Sequence, residues 1–238
     1  MKYELGVDLL FDTPYAEILD IFARINSYTV KLQPQEIFNA RYLGYFKQTI
    51  YRLGFRYVTY YIDGGILTKA NVTRMSEAEL SADLMVALID KIQSNKTVEN
   101  YYKIYEDEQG DVEKMESRFE EIMSYIGAIY SPLELKNTNF SRVQLFYSLF
   151  TAIGHLLFSV NGLDPQLRKP INTKSIGKIR VALDNVSALY DEVAENLDSP
   201  QYPKDYKDFI SATRRGTTDT SARVFRGNFL VQKIAENL

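Results

Sequence analysis

Between Ile176 and Leu197 the apolar residues Ile176, Ile179, Leu183, Val186, Tyr190, Val193 and Leu197 recur at alternating intervals of three and four. That spacing keeps one face of an α-helix apolar over its whole length, and no strand or loop produces it. It serves either a coiled-coil seam or the core of a bundle, and the lack of a regular charge frame around it favours the bundle. Comparable stripes follow Ser76, expected to cap its helix (Leu80, Leu84, Ala87, Leu88, with the helix expected to run to Ile92), and Val112 (Met115, Phe119, Ile122, Ile126, Ile129). Thr13-Pro14 opens a helix carrying Ile18, Leu19, Phe22 and Ile25 and ending near Asn26, by the cap-then-proline rule. Further helices are expected over 34–40, over 45–61 with an interruption at Gly54, near 99–106, after Pro203 and over 218–235.

One segment departs from this period. Tyr3, Leu5, Val7 and Leu9 alternate with Glu4, Gly6 and Asp8, as in a half-buried strand. No second strand pattern follows, so this one is expected to pair with another chain or with a sheet domain preceding it. The expected fold is mainly α: a multi-helix orthogonal bundle with one short N-terminal strand. It forms a single helical domain over 1–238, with a strand remnant at 1–12, a basic segment at 13–70 and the bundle proper at 71–238.

The 238 residues are 45% hydrophobic, enough for a sizeable core, and contain no cysteine. Disulfides and thiolate chemistry are therefore excluded, which fits a reducing, cytoplasmic setting. The start, MKYELGVDLLFD, lacks the basic and apolar regions of a signal peptide, and the Asn-x-Thr triplets at Asn71 and Asn95 then read as chance matches. Val143 to Val160 approaches the length of a membrane span, but Gln144, Ser148, Thr151, His155 and Ser159 interrupt it, as in a buried helix.

Catalytic constellations are scarce. His155, the one histidine, sits on the most apolar helix and reads as a satisfied core residue; alone, it builds neither a zinc site nor a histidine-based triad. Glu106, Asp107, Glu108, Asp111 and Glu113 form an acidic cluster without the ligand spacing of an EF-hand, better suited to a loop between helices. Neither common phosphate-binding glycine motif occurs, and Asp63-Gly64-Gly65 reads as a turn. The chain is expected to be no enzyme, with no cofactor and no metal.

Charge is segregated along the chain. Residues 21–60 carry a net +5, residues 77–121 a net −8 and residues 201–238 a net +3. Basic residues interleaved with tyrosines suit phosphate contact and base stacking, which makes Arg41, Lys47, Arg52, Arg56, Arg214, Arg215, Arg223 and Arg226 candidates for nucleic acid.

The most specific stretch is Phe22-Ala23-Arg24-Ile25-Asn26, then Leu32 through Ala40 (LQPQEIFNA) and Tyr42-Leu43-Gly44-Tyr45-Phe46. It resembles the F-x-R-I-N and L-x-x-Q-E-[IL]-R-N-A segment of the GmrSD-type, ParB-like family of bacterial defence proteins, with Phe38 where the family has arginine. Weaker matches follow in register at Arg74-Met75-Ser76 with Glu79-Leu80, and at 214–219 leading to Arg223 and Arg226. The resemblance implies a helical region that follows a nucleotide-handling domain bearing D-G-Q-Q-R. That signature is absent here, as is the family's histidine-dependent nuclease. The implied role is that of a non-catalytic module contacting a ParB-like domain or subunit, and DNA as well, without membrane contact. A protein-interaction scaffold with no nucleic-acid role is the competing reading. Arg24, Asn26, Gln35, Glu36 and Asn39 are expected to form one polar cluster facing the partner or a nucleotide, or else a loop clamp in which Glu36 pairs with Arg24.

Overall fold

The apolar stripes close on one another. The computed structural model describes residues 9, 11–27, 32–107 and 109–238, and among these there are twelve α-helices and no strand. The expected strand falls, apart from Leu9, outside the described residues.

The helices are α1 (Tyr15–Ser27), α2 (Pro34–Arg41), α3 (Tyr45–Asp63), α4 (Lys69–Val72), α5 (Ser76–Ile89), α6 (Val98–Ile104), α7 (Val112–Ile129), α8 (Pro132–Lys136), α9 (Val143–Phe158), α10 (Ile176–Glu195), α11 (Lys204–Arg214) and α12 (Thr220–Glu236). The centre is α9, in which every residue from Leu145 to Leu156 is buried. It packs against α5, α7 and α12; α3 lies on α5 and α7, and α10 and α11 close on α12. One cluster of buried side chains runs from Tyr42 to Ile234, each large apolar member contributing about 1.5–3 kcal/mol. Phe119 meets Phe150 with ring centroids 4.8 Å apart, and Phe209 stacks on Phe229 at 4.3 Å.

The heptad-like stripe of α10 is a bundle face, since Ile179, Leu183, Val186, Tyr190 and Val193 are all buried. The apolar stretch in α9 is a core helix too, and no helix among the described residues is long and apolar enough to cross a membrane. His155 is fully buried and satisfied. The Val160 amide donates to its Nδ1 at 3.1 Å, which leaves the proton on Nε2 to be donated to the Asp164 carbonyl at 3.2 Å.

Three boundaries differ from expectation. α3 continues through Gly54, because a Cβ there would meet the Ala78 backbone nitrogen at 3.3 Å: glycine lets α3 approach α5 closely. The N-cap of α5 is Met75 in the left-handed region (φ 63°), and Ser76 is already helical. α5 stops at Ile89 because the Ile92 amide turns to bond Asn161 O at 3.0 Å.

Candidate functional site

Proline starts α2, and Glu36 at its third position folds back so that one carboxylate oxygen accepts the Gln33 amide. The same carboxylate receives Arg74 Nε and Nη2 at 3.0 and 2.8 Å, fastening α2 to the loop before α5. These Arg74 bonds, with the Gln33 amide, hold the Glu36 carboxyl below its ordinary range. Gln35, one residue earlier, points the other way. It is buried and donates to the Tyr102 hydroxyl at 2.7 Å, where Phe38 and Phe46 surround the Tyr102 ring.

The expected polar cluster is thus divided. Gln35 serves the core, Glu36 clamps a loop through Arg74, Asn39 is half-buried, and Arg24 is exposed on the last turn of α1. The side chain of Asn26 lies outside what the structure describes.

The charge segregation of the sequence becomes pairing between helices. Arg41 bonds Glu99 at 3.1 Å, and the Arg52 guanidinium grips both oxygens of Glu116 at 3.1 and 2.7 Å. Arg56 pairs with Glu120 one turn further along. The basic face of α3 is therefore neutralised by the acidic face of α7, at about 0.2–1 kcal/mol for each exposed pair. Of the acidic cluster, Glu106 caps α3, accepting the Leu43 and Gly44 amides at 2.9 and 3.0 Å; no metal-holding group of acids occurs among the described residues. Lys47 lies over the Tyr51 ring, and Arg214 donates to the Ala194 carbonyl at 2.7 Å beside exposed Arg215.

Arg223 and Arg226 require correction, because neither is on a surface that a duplex reaches. Both point from α12 into the protein, with 3% and 0% of their surface exposed. Arg223 pairs with both oxygens of Asp83 at 2.7 and 2.6 Å, donates to the Gln93 carbonyl at 2.8 Å, and stacks 4.1 Å from the Tyr147 ring centroid. Arg226 donates to Ser148 Oγ at 3.0 Å, Ala212 O at 2.7 Å and Thr217 O at 2.8 Å. Burial and the neighbouring Arg223 push Arg226 down to about 10.

These arginines line the inner wall of a cleft of about 340 Å³ between α5, α9, α12 and the 217–218 loop. Ser76, Glu79, Asp83, Asn95, Thr217 and Thr218 are among the other polar residues that line it. Parts of the two weaker stretches of the resemblance, Ser76 with Glu79-Leu80 from the first and Thr217-Thr218 with Arg223 and Arg226 from the second, are far apart in sequence and meet here. A second cleft shares Glu79 and Asn95 with the first and reaches Gln35 on α2. Asp83 and Tyr147 were missed in the sequence. Asp83 had a signal, since it lies three residues after Leu80 and four before Ala87 on the apolar face of α5, where an acid needs a buried partner.

Comparison of the chain with protein families, characterised proteins and solved structures gives no match in any of the three.

Proposed function

We propose that the chain is a non-catalytic helical module of a nucleotide-dependent bacterial defence protein, and that it works by docking a ParB-like domain rather than by gripping DNA. The observation that carries this reading is the N-terminal corner. The other long helices expose single apolar residues such as Phe55, Val181 and Phe225 but bury the rest of their apolar faces, whereas no described side chain of α1 is buried: Tyr15 and Ile18 are exposed, and Phe11, Ile37, Leu43 and Tyr45 are exposed nearby in sequence on the flanking chain and on α2–α3. A bond of 2.6 Å from the Tyr15 hydroxyl to the Ala40 carbonyl ties α1 to α2. Exposed apolar side chains at this density mark interaction surfaces more often than solvent-facing ones. Neutralised arginines on α3 support protein contact over nucleic acid.

The test pairs this chain with a purified ParB-like domain that bears D-G-Q-Q-R, with binding followed by calorimetry. Saturable binding is expected, weakened at least about tenfold, or ~1.4 kcal/mol, by Ile18→Glu. Because Ile18 stands outside the core, that variant should keep its Tm. Failure to bind at high micromolar concentration would overturn the reading. The DNA reading retains Lys47, Arg214 and Arg215, which have no carboxylate partner within ion-pair distance among the described residues. A steep, salt-dependent duplex affinity lost on reversing these three charges would favour it instead.

A further inference from the structure

We infer that the cleft between α5, α9 and α12 is a binding site for a small molecule carrying an oxyanionic group, a phosphoryl or a carboxylate, at one end and hydrogen-bond donors at the other. This inference does not depend on the docking partner proposed above.

The inner wall holds two guanidiniums and one carboxylate. Asp83 is fully engaged by Arg223, whereas Arg226 bonds only neutral oxygens, those of Ser148, Ala212 and Thr217. One positive charge is therefore left without an ionic partner in a place where desolvation makes it costly. Arg223 also keeps a buried Nε–H that meets no acceptor, although its residue is only 3% exposed. Buried donors of this kind are rare in folded proteins, and this one belongs to a residue that lines the cleft.

The outer wall has the opposite preference. Glu79 is exposed at the mouth, where its carboxylate accepts donors from a ligand. Between the two walls, the hydroxyls of Ser76, Thr217 and Thr218 and the carboxamide of Asn95 make no hydrogen bond among the described residues, so they are available to a polar guest. At about 340 Å³ the cleft is too large for a bare inorganic anion and falls at the small end of the ~300–1,000 Å³ usual for small-molecule sites. Arg226 is itself too buried to be touched, but its charge has no ionic partner, and an oxyanion seated in the cleft lies in that positive field at low dielectric, where the attraction is strong.

Three probes are titrated into the full chain at constant ionic strength: orthophosphate, ribose 5-phosphate and glycerate. Ribose 5-phosphate or glycerate should give saturable binding, with Tm raised roughly 5–10 °C at a hundredfold excess over Kd. Whichever of these two binds identifies the oxyanion as phosphoryl or carboxylate, and orthophosphate should bind at least about tenfold more weakly than it. Ser76→Ala with Thr218→Val should weaken binding about tenfold or more while leaving the ligand-free Tm in place. A second readout needs no variant: the Arg223 Nε–H resonance in a proton–nitrogen correlation spectrum should move on titration and saturate with the same Kd. If none of the probes binds saturably, or if binding leaves that resonance and the double variant unaffected, the inference is wrong.

Discussion

Glu36 occupies the third position of α2, where a carboxylate both caps the helix and meets Arg74. Because its carboxyl is held below the ordinary range, the folded protein binds fewer protons there than the unfolded chain in the window below the usual glutamate value of about 4.3. The stability it contributes is therefore complete above that pH and is lost as pH falls through the lowered folded value. Urea denaturation of wild type and Glu36→Gln should show the gap between them closing below pH ~4.3, and a gap independent of pH would refute the assignment. His155 obeys a related rule with a different window. Burial lowers its pKa, since removal from water disfavours the charged ring. Its contribution is present above the unfolded value of about 6.5 and falls as pH drops below it. Replacing it with Gln should cost about 1–3 kcal/mol at pH 8 and flatten the stability curve beneath pH ~6.5, measured by the same denaturation series.

At the scale of elements, the join between α3 and the α6–α7 loop rests on one glycine. A Cβ on Gly44 would fall 2.3 Å from the Glu106 backbone, a distance no real contact allows, and the Glu106 carboxylate caps α3 through the Gly44 amide. Gly44→Ala is expected to push the loop away and cost about 1–3 kcal/mol by overpacking, read as a lower urea midpoint at unchanged slope. Such a join is invisible in sequence, because the acidic run around Glu106 looks like any solvated loop until its partner is known. The helices themselves were legible: periodicity located α5, α7 and α10, since burial of one face imposes it, and a long apolar run located α9, which is buried on all sides. The short α4 and α8 were not, for four or five residues cannot display a period. Gly54 misled for a physical reason, because a helix breaker in solution is also the residue that lets two helices touch.

For the molecule as a whole, the decisive step from sequence to structure is the conversion of charge blocks into pairs between distant helices. The counts of +5 and −8 were plain in the sequence, but whether they faced water or each other depended on the register of α3 against α7. The candidate site was legible only in part: Ser76 and Glu79 stood in one motif and Thr217 to Arg226 ran out of another, Asp83 and Tyr147 stood in neither, and only packing made them one cleft. On the inner wall of that cleft, Asp83 and Arg223, 140 residues apart in sequence, join α5 to α12. Both groups are largely removed from water, so the pair is a poor source of net stability but a dangerous one to halve. Asp83→Leu leaves two buried guanidiniums without a carboxylate between them, and should cost about 3–5 kcal/mol. Adding Arg223→Met to it removes one of those charges and refills the space beside Tyr147 with an apolar side chain. The double variant should therefore recover most of the loss, giving a coupling of about 2 kcal/mol or more in a double-mutant cycle followed by urea denaturation. Additive losses would mean that each residue acts through separate neighbours, and that the ion pair does not hold α5 to α12.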